Sequence, residues 1–402
     1  MIVITDKSLC TGCGACASIC PQDAIALVLD REGFRYPKVD LSRCVDCGLC
    51  EKVCHMLHPA ILPHPFRGTV FAACLKDRES MLEVSSGGAA WALAQAVIRQ
   101  GGVVYGAVQT GLFDTRHARA QTLKEAEAFR GSKYQESDMG TVFRQVQSDL
   151  DAGINVLFTG TGCQIGGLYE FLGKRPASLI TCDIVCHSIP SLRMFKEYIS
   201  ALERTTQGKA VRIDYRDKSR GWRYNQIAIY LEDGRSIKEW CGSHAYHSSY
   251  LSGLISRPSC EGCRYQRLNR ISDITLADFW KYWGKLCTEN EKYGISLVVC
   301  STKAGLSLLD SASSLLDVDP VPLEDAISSC RHLTRPAPVH PRRNSFFLAS
   351  RVFGFMASHR AMKIGKNFAT SPRRTLAKLA PKTLRRVVCA VLRSCRKLGN
   401  RP

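Results

Sequence analysis

Two cysteine runs constrain this chain more than anything else in it. Cys10-x2-Cys13-x2-Cys16-x3-Cys20-Pro21 is followed by Cys44-x2-Cys47-x2-Cys50-x3-Cys54. Two-residue gaps let one tight loop offer three thiolates to the corners of a single inorganic cluster, and in runs of this kind the fourth cysteine ligates the other cluster. Gly12, Gly14 and Gly48 permit the close backbone approach that such a loop demands. The spacing therefore predicts two [4Fe-4S] clusters within residues 1–60, one on Cys10, Cys13, Cys16 and Cys54, the other on Cys44, Cys47, Cys50 and Cys20. Paired structural zinc sites need only two close pairs each and fit these gaps poorly. His55 stands where Pro21 follows the first run; proline shapes the turn and supplies no ligand, so cluster binding survives the change.

Cysteine is abundant beyond these runs, with 20 in 402 residues. A secreted disulfide scaffold would be shorter and would begin with a leader, whereas the chain opens MIVITDKSLC, and no apolar run approaches the ~18 residues of a membrane span. Thiolates in a reducing, cytoplasmic setting are the expectation. At 45% hydrophobic and 23% charged the composition is globular, and the length suggests two or three units. The net charge of +19 is unevenly spread: 17 of the 55 Lys and Arg fall after residue 333, where there is no Asp or Glu, leaving 38 bases against 36 acids before it.

This N-terminal segment resembles a two-cluster ferredoxin domain with a lengthened connection over 30–41. The segment 61–68, with two prolines, reads as a linker. From 69 to 333, short apolar strands alternate with helical patterns, which predicts a mixed α/β domain. Strands are expected over 70–75, 103–108, 155–159, 179–185, 211–215, 226–231, 273–277 and 295–300, and helices over 89–99, 123–129, 139–151, 165–172, 191–203, 244–255 and 302–313. Asp233-Gly234 marks a hairpin turn within 226–240.

Several loops here carry chemistry. Ser85-Ser86-Gly87-Gly88 precedes an apolar helix, which suits either an ordinary N-cap or an anion. Gly131-Ser132-Lys133-Tyr134 adds a cation and an aromatic. Gly160-Thr161-Gly162-Cys163-Gln164 joins strand to helix without the Gly-Lys-Ser/Thr ending of a Walker loop. Cys163 alone could be a nucleophile, a small buried hydrophobe or a ligand. Cys186-His187 closes a strand, and Cys260-x2-Cys263 is a chelating pair with zinc half-site and redox disulfide as competing readings. Four such cysteines beside iron–sulfur neighbours favour a third cubane.

With Asp217-Lys218-x2-Gly221-Trp222 and Asp273-Ile-Thr-Leu-Ala-Asp278-Phe279-Trp280, these motifs run in order through residue 283 and resemble the beta-subunit family of coenzyme F420 hydrogenases and dehydrogenases. The resemblance implies an FAD- and iron–sulfur-dependent oxidoreductase. Cys163, Cys186, Cys260 and Cys263 would hold a third [4Fe-4S] cluster, with Cys182 as the alternate ligand. FAD would lie against Ser85, Ser86, Gly87, Gly88, Lys133, Tyr134, Gly160, Thr161, Gly162, Gln164 and His187, and no acid–base residue is assigned. Two loops depart from the family: Gly162 replaces the more usual proline before the cysteine, and Ser-Ile-Pro follows His187. Redox partners implied are a hydrogenase, a dehydrogenase or a ferredoxin-like donor, with coenzyme F420 or another two-electron acceptor. The alternative function is a non-catalytic electron-transfer subunit, including one serving surface-polysaccharide synthesis.

Cys74, Cys182, Cys241, Cys287, Cys300, Cys330, Cys389 and Cys395 remain, most in apolar segments and expected in the core. Residues 334–402 form a basic, partly helical tail, in which 384–398 has helical apolar spacing. Such a segment suits the anionic inner face of a membrane, an acidic partner, or plain packing. Nucleic acid is not expected, since no reading motif accompanies the charge. The fold expected overall is α/β, α+β across the whole chain: a ferredoxin-like domain (1–60), a mixed α/β flavin-binding domain (69–333) and the tail (334–402).

Overall fold

A computed structural model describes residues 1–59, 68–287 and 292–364. The predicted linker residues 61–67, the helix at 384–398, Cys389 and Cys395 lie outside them. In the N-terminal domain, β1 (Ile25–Leu29) and β2 (Arg35–Val39) form an antiparallel hairpin. Each cysteine run wraps a short helix, Ala15–Ile19 or Leu49–Lys52, entered through Gly14 at φ 83° and Gly48 at φ 75°. Both glycines occupy left-handed backbone that a side chain would strain, so the runs share one local geometry.

The larger sheet has eight strands. They are β3 (Thr69–Leu75), β4 (Val103–Gly111), β5 (Asp114–Ala120), β6 (Val156–Thr161), β7 (Leu179–Ile184), and, after an excursion, β11 (Ile274–Asp278), β12 (Ser296–Cys300) and β13 (Leu316–Pro320), in the order β13-β3-β12-β11-β7-β6-β4-β5. Strands β4, β6, β7 and β11 are mutually parallel, and the outer pairings are antiparallel. The excursion is an antiparallel sheet of β8 (Ala210–Asp217), β9 (Gln226–Leu231) and β10 (Ser236–Trp240), with Gly234 at φ 85° in the predicted turn.

Central strands with apolar residues on both faces, such as Val-Leu-Phe in β6 and Leu-Val-Val in β12, are buried as a parallel-centred sheet requires. Helix Ala89–Arg99 has the predicted bounds. The helix expected over 244–255 stops at Leu251, because Gly253 turns to φ 74°, and that expected from 139 starts at Val142, after Gly140 at φ 45°.

A second core joins distant parts of the chain. Phe34 from the N-terminal domain is fully buried with Phe195, Tyr198 and Tyr246, and Phe346, Phe347 and Phe355 of helix Arg343–Ile364 pack into the same cluster. That helix breaks at Gly354, and Phe34 meets Phe347 at 6.3 Å between ring centres. The first thirty residues of the basic tail are therefore part of a packed body. Among the described residues, no helix is long and apolar enough to cross a membrane.

Candidate redox site

The N-terminal domain holds two cysteine-lined cavities. Cys10, Cys13, Cys16 and Cys54 line one, with Ile2, Ile4 and Leu27 around them. Cys20, Cys44, Cys47 and Cys50 line the other, with Ile25, Val39 and Leu49. Backbone N–H groups donate to sulfur in the second: Ile2 N to Cys50 Sγ and Ala24 N to Cys20 Sγ, both at 3.3 Å. Such donors stabilise thiolate sulfur and tune a cluster's potential. Burial pushes the Cys13 thiol up to about 12 and raises Cys16 well above its ordinary value, with neighbouring sulfurs adding to the effect. These thiols stay protonated unless a strong cationic centre takes the proton's place. Among the described residues, no three His, Cys, Asp or Glu close on a single-ion site. Quartets around cavities fit a polynuclear cluster better than one zinc ion.

The register of its parallel strands places two cysteines of the central domain side by side. Thr161 pairs with Ile184, so Cys163 and Cys186 each lie two residues past the carboxyl ends of neighbouring strands β6 and β7. Crevices beyond the carboxyl ends of parallel strands are where open α/β sheets bind ligands. Cys260 ends the short helix Pro258–Cys260, and its sulfur accepts from Ile189 N at 3.4 Å. The Cys186 thiol, raised well above its usual value mainly by burial, also feels Cys260, Cys163 and Cys263. Cys182 points elsewhere: it is 1% exposed in the main core and interacts with Asp183, Cys300 and Asp273. Cys74, Cys241, Cys287 and Cys300 are likewise buried, and Cys330 packs partly against the core.

The first quartet adjoins the central one. After burial, Cys13's thiol is raised by Cys10 and by Cys163, and its sulfur lies 2.8 Å from where a Cβ on Gly167 would sit. Helix Gly162–Leu172, which begins at the Cys163 loop, thus needs glycine at 167 for the N-terminal domain to seat against it.

The remaining predicted residues are tied into neighbouring loops by hydrogen bonds. Ser132 Oγ donates to Ser85 Oγ at 2.8 Å, Ser86 Oγ donates to the Ile295 carbonyl at 2.7 Å, and Lys218 Nζ donates to the Ser86 carbonyl at 2.9 Å. Lys133 Nζ donates to the carbonyls of Arg130 and Ala128 at 2.7 and 3.0 Å. Burial lowers both ammonium groups, Lys133 and Lys218, to about 7. Two desolvated lysines bonded to carbonyl oxygens would gain from an anion. Lys133 also acts on His117, whose Nε2 bonds to the Thr159 carbonyl at 2.9 Å and faces Gly160.

Tyr134 lies in an aromatic box of Tyr215, His247 and Tyr250, 5.0 to 5.5 Å away. His187 meets Tyr250 edge-on, and its Nδ1 bonds to His332 Nε2 at 3.1 Å. His247 Nδ1 is buried with no hydrogen-bond partner, while the His187 ring also interacts with the backbone of Tyr250 and Leu251. An unpartnered buried nitrogen beside aromatic rings is what a bound heteroaromatic ligand would satisfy. Other predicted contacts are already engaged. Thr161 and Gln164 form a capping box, Gly162 lies under Tyr265, and a Cβ on Gly87 would strike the Ala73 carbonyl at 2.2 Å. Asp278 is an anchor, ion-paired to Arg216 and accepting from Trp222 Nε1 at 3.3 Å, with Trp222 stacked on Trp280.

Residues 154–324 match the C terminus of the coenzyme F420 hydrogenase/dehydrogenase beta subunit, and residues 9–56 match the 4Fe-4S dicluster domain. The chain is thus similar to a 4Fe-4S dicluster domain near its start and to the C terminus of a coenzyme F420 hydrogenase/dehydrogenase beta subunit in its middle. These matches mark an iron–sulfur protein of the electron-transferring, oxidoreductase type. A solved chain of the F420-reducing [NiFe] hydrogenase complex from Methanosarcina barkeri is similar over 66% of this chain and 84% of that one, at 19% identity and a TM-score of 0.44. No curated protein matches.

Sequence reasoning missed Arg216, His117 and Tyr265, and it quoted Lys218 only as part of a motif. The remaining omissions, Arg257 and Glu136, pair at 2.7 Å and both reach the N-terminal domain, Arg257 at the Cys10 carbonyl and Glu136 at Arg35 N. Arg257 and Tyr265 flank Cys260-x2-Cys263 on either side, which was the available signal.

Proposed function

We propose that the chain carries single electrons from two N-terminal [4Fe-4S] clusters to a third, on Cys163, Cys186, Cys260 and Cys263, and on to FAD. The functional units under this reading are the ferredoxin domain (1–60), the flavin domain (69–333) and the basic tail (334–402). The observation that carries it is the adjacency of Cys13 and Cys163, which sets the first quartet against the central one. Cys47, exposed in the second quartet, gives electrons an outer entry or exit. FAD, when bound, supplies two-electron storage between one-electron clusters and an acceptor such as coenzyme F420 or another hydride acceptor. For their part, Lys133, Lys218, Ser85 and Ser132 offer positive charge and hydroxyls to a pyrophosphate. Tyr134, His187 and His247 offer an aromatic wall with an unpartnered nitrogen at His247.

A relay subunit without its own two-electron chemistry is the second reading, favoured by the engagement of Thr161, Gln164 and Gly87 in packing and capping. A redox partner protein, including one in surface-polysaccharide synthesis, would then complete the activity. The basic tail beyond residue 364 would supply contact with an acidic partner or the inner face of a membrane, in a cytoplasmic setting. Anaerobic purification decides between these readings. Roughly twelve irons, as many sulfides and one FAD per chain support the first; the same iron without flavin supports the second. Iron near zero would overturn both.

A further inference from the structure

Arg257 is 0% exposed, yet it is a permanent cation. Its guanidinium joins both domains: Nε donates to the Cys10 carbonyl at 2.9 Å, and Nη2 donates to the Arg35 carbonyl at 2.6 Å and to Cys10 Sγ at 3.6 Å. Nη1 pairs with Glu136 Oε1 at 2.7 Å, and Glu136 Oε2 accepts from Arg35 N at 3.1 Å. The Tyr36 ring lies 4.4 Å from the guanidinium carbon. Gly12 is left-handed at φ 76°, and a Cβ there would lie 2.3 Å from Glu136 Oε1 and 2.8 Å from Arg257 Nη1. The first cysteine loop is therefore shaped to receive this pair. Arg257 is also the N-cap residue of the short helix that ends in Cys260.

A buried charge of this kind could serve only to hold two domains together. A salt bridge between apolar surfaces is a costly way to do that, since well-packed hydrophobic residues are often as stable. Direct donation to a ligating sulfur has a different consequence: it stabilises the electron-rich reduced cluster and raises its reduction potential. No such cation appears among the described sulfur contacts of the second quartet, where the donors are the neutral backbone N–H groups of Ile2 and Ala24.

We propose that Arg257, held by Glu136, is the positioning residue that sets the first cluster's potential above the second's, so that electrons entering at the outer quartet move inward. The inference rests on the cluster assignment given above. One electron leaves the reduced second cluster and reduces the first, with no bond made or broken and no proton moved. Glu136 works against its partner electrostatically, so the two side chains have opposite effects on potential while sharing one structural role.

The test is EPR-monitored potentiometry on the anaerobic holoprotein and on Arg257→Gln and Glu136→Gln. Arg257→Gln shifts the first cluster's midpoint to more negative potential by at least a tenfold change in the one-electron equilibrium, 59 mV. Glu136→Gln, nearly isosteric, shifts it in the positive direction. The second cluster's midpoint stays in place in both. If Arg257→Gln fails to assemble, the sign for Glu136→Gln decides alone. Unchanged midpoints, or shifts of the same sign in both variants, would overturn the proposal and leave the pair as a structural clamp. A wild-type protein with no clusters would instead overturn the assignment on which it rests.

Discussion

The Tyr265 hydroxyl hydrogen-bonds to His55 Nδ1 at 2.6 Å, joining the residue after the last N-terminal cysteine to the residue two past Cys263. His55 occupies the position where the first run has Pro21, and its other nitrogen bonds to Thr11 Oγ1 at 3.1 Å. Proline could make neither contact. The departure in the second run thus serves the domain junction, leaving the cysteine spacing intact.

Tyr265→Phe leaves His55 Nδ1 buried without its partner, a loss of about 1–3 kcal/mol. His55→Pro removes both hydrogen bonds and the ring packed at 5.4 Å on Tyr265, so it costs more. Thermal unfolding of the anaerobic protein checks the order. Equal midpoints for His55→Pro and wild type would show that the junction does not depend on this side chain.

Gly167→Ala tests the seating of the N-terminal domain. The added methyl would meet Cys13 Sγ at 2.8 Å and Cys13 Cβ at 2.9 Å, so the cysteine loop must shift. Overpacking of this kind typically costs about 1–3 kcal/mol. Gly111→Ala, where nothing lies within 4 Å, is the control. The expected outcome is lower stability and altered EPR of the first cluster in Gly167→Ala alone; identical spectra in the two variants would refute it.

Much of this arrangement was legible beforehand, for identifiable reasons. Cysteine spacing is a local constraint, so it indicated which thiols would share a cavity. Apolar strands such as 226–231 announce themselves because both faces are buried. Edge strand β5 was not found: two of its three buried positions, Thr115 and His117, are polar and bond to Gln135 and Ser137, leaving only Ala120 in the apolar core. Strand β13 hides behind two aspartates and a terminal proline. The Arg257–Glu136 pair spans 121 residues of sequence, and Arg257 to Cys10 spans 247, so only folding reveals them. Helix Arg343–Ile364 was obscured because a tail dense in Arg reads as a surface, although Phe346 and Phe347 are 0% and 1% exposed.

Stability falls as pH drops below about 6.5. Burial lowers His117 and His244 to about 4, so between pH 6.5 and 4 the unfolded chain binds protons that the folded chain refuses. Each contributes roughly 3 kcal/mol of lost stability across that window. His244→Gln should flatten the pH dependence of the denaturant midpoint between pH 7 and 5. A slope equal to wild type would show that His244 is protonated in the fold.

Lys133→Met and Lys218→Met address the anion-binding role of the buried lysines. Apolar replacements relieve the cost of burying an ammonium group, so folding and iron content are retained or improved. FAD retention after gel filtration should fall at least tenfold in either variant. Flavin bound as tightly as in wild type would remove the lysines from the flavin site.

Cys263→Ser tests the central claim, a third cluster joined to the N-terminal pair, by iron content and EPR of the dithionite-reduced protein. The account predicts loss of about one third of the iron, roughly four of twelve atoms per chain, together with loss of the spin coupling between the first cluster and its central neighbour. Unchanged iron content and an unchanged spectrum would contradict it.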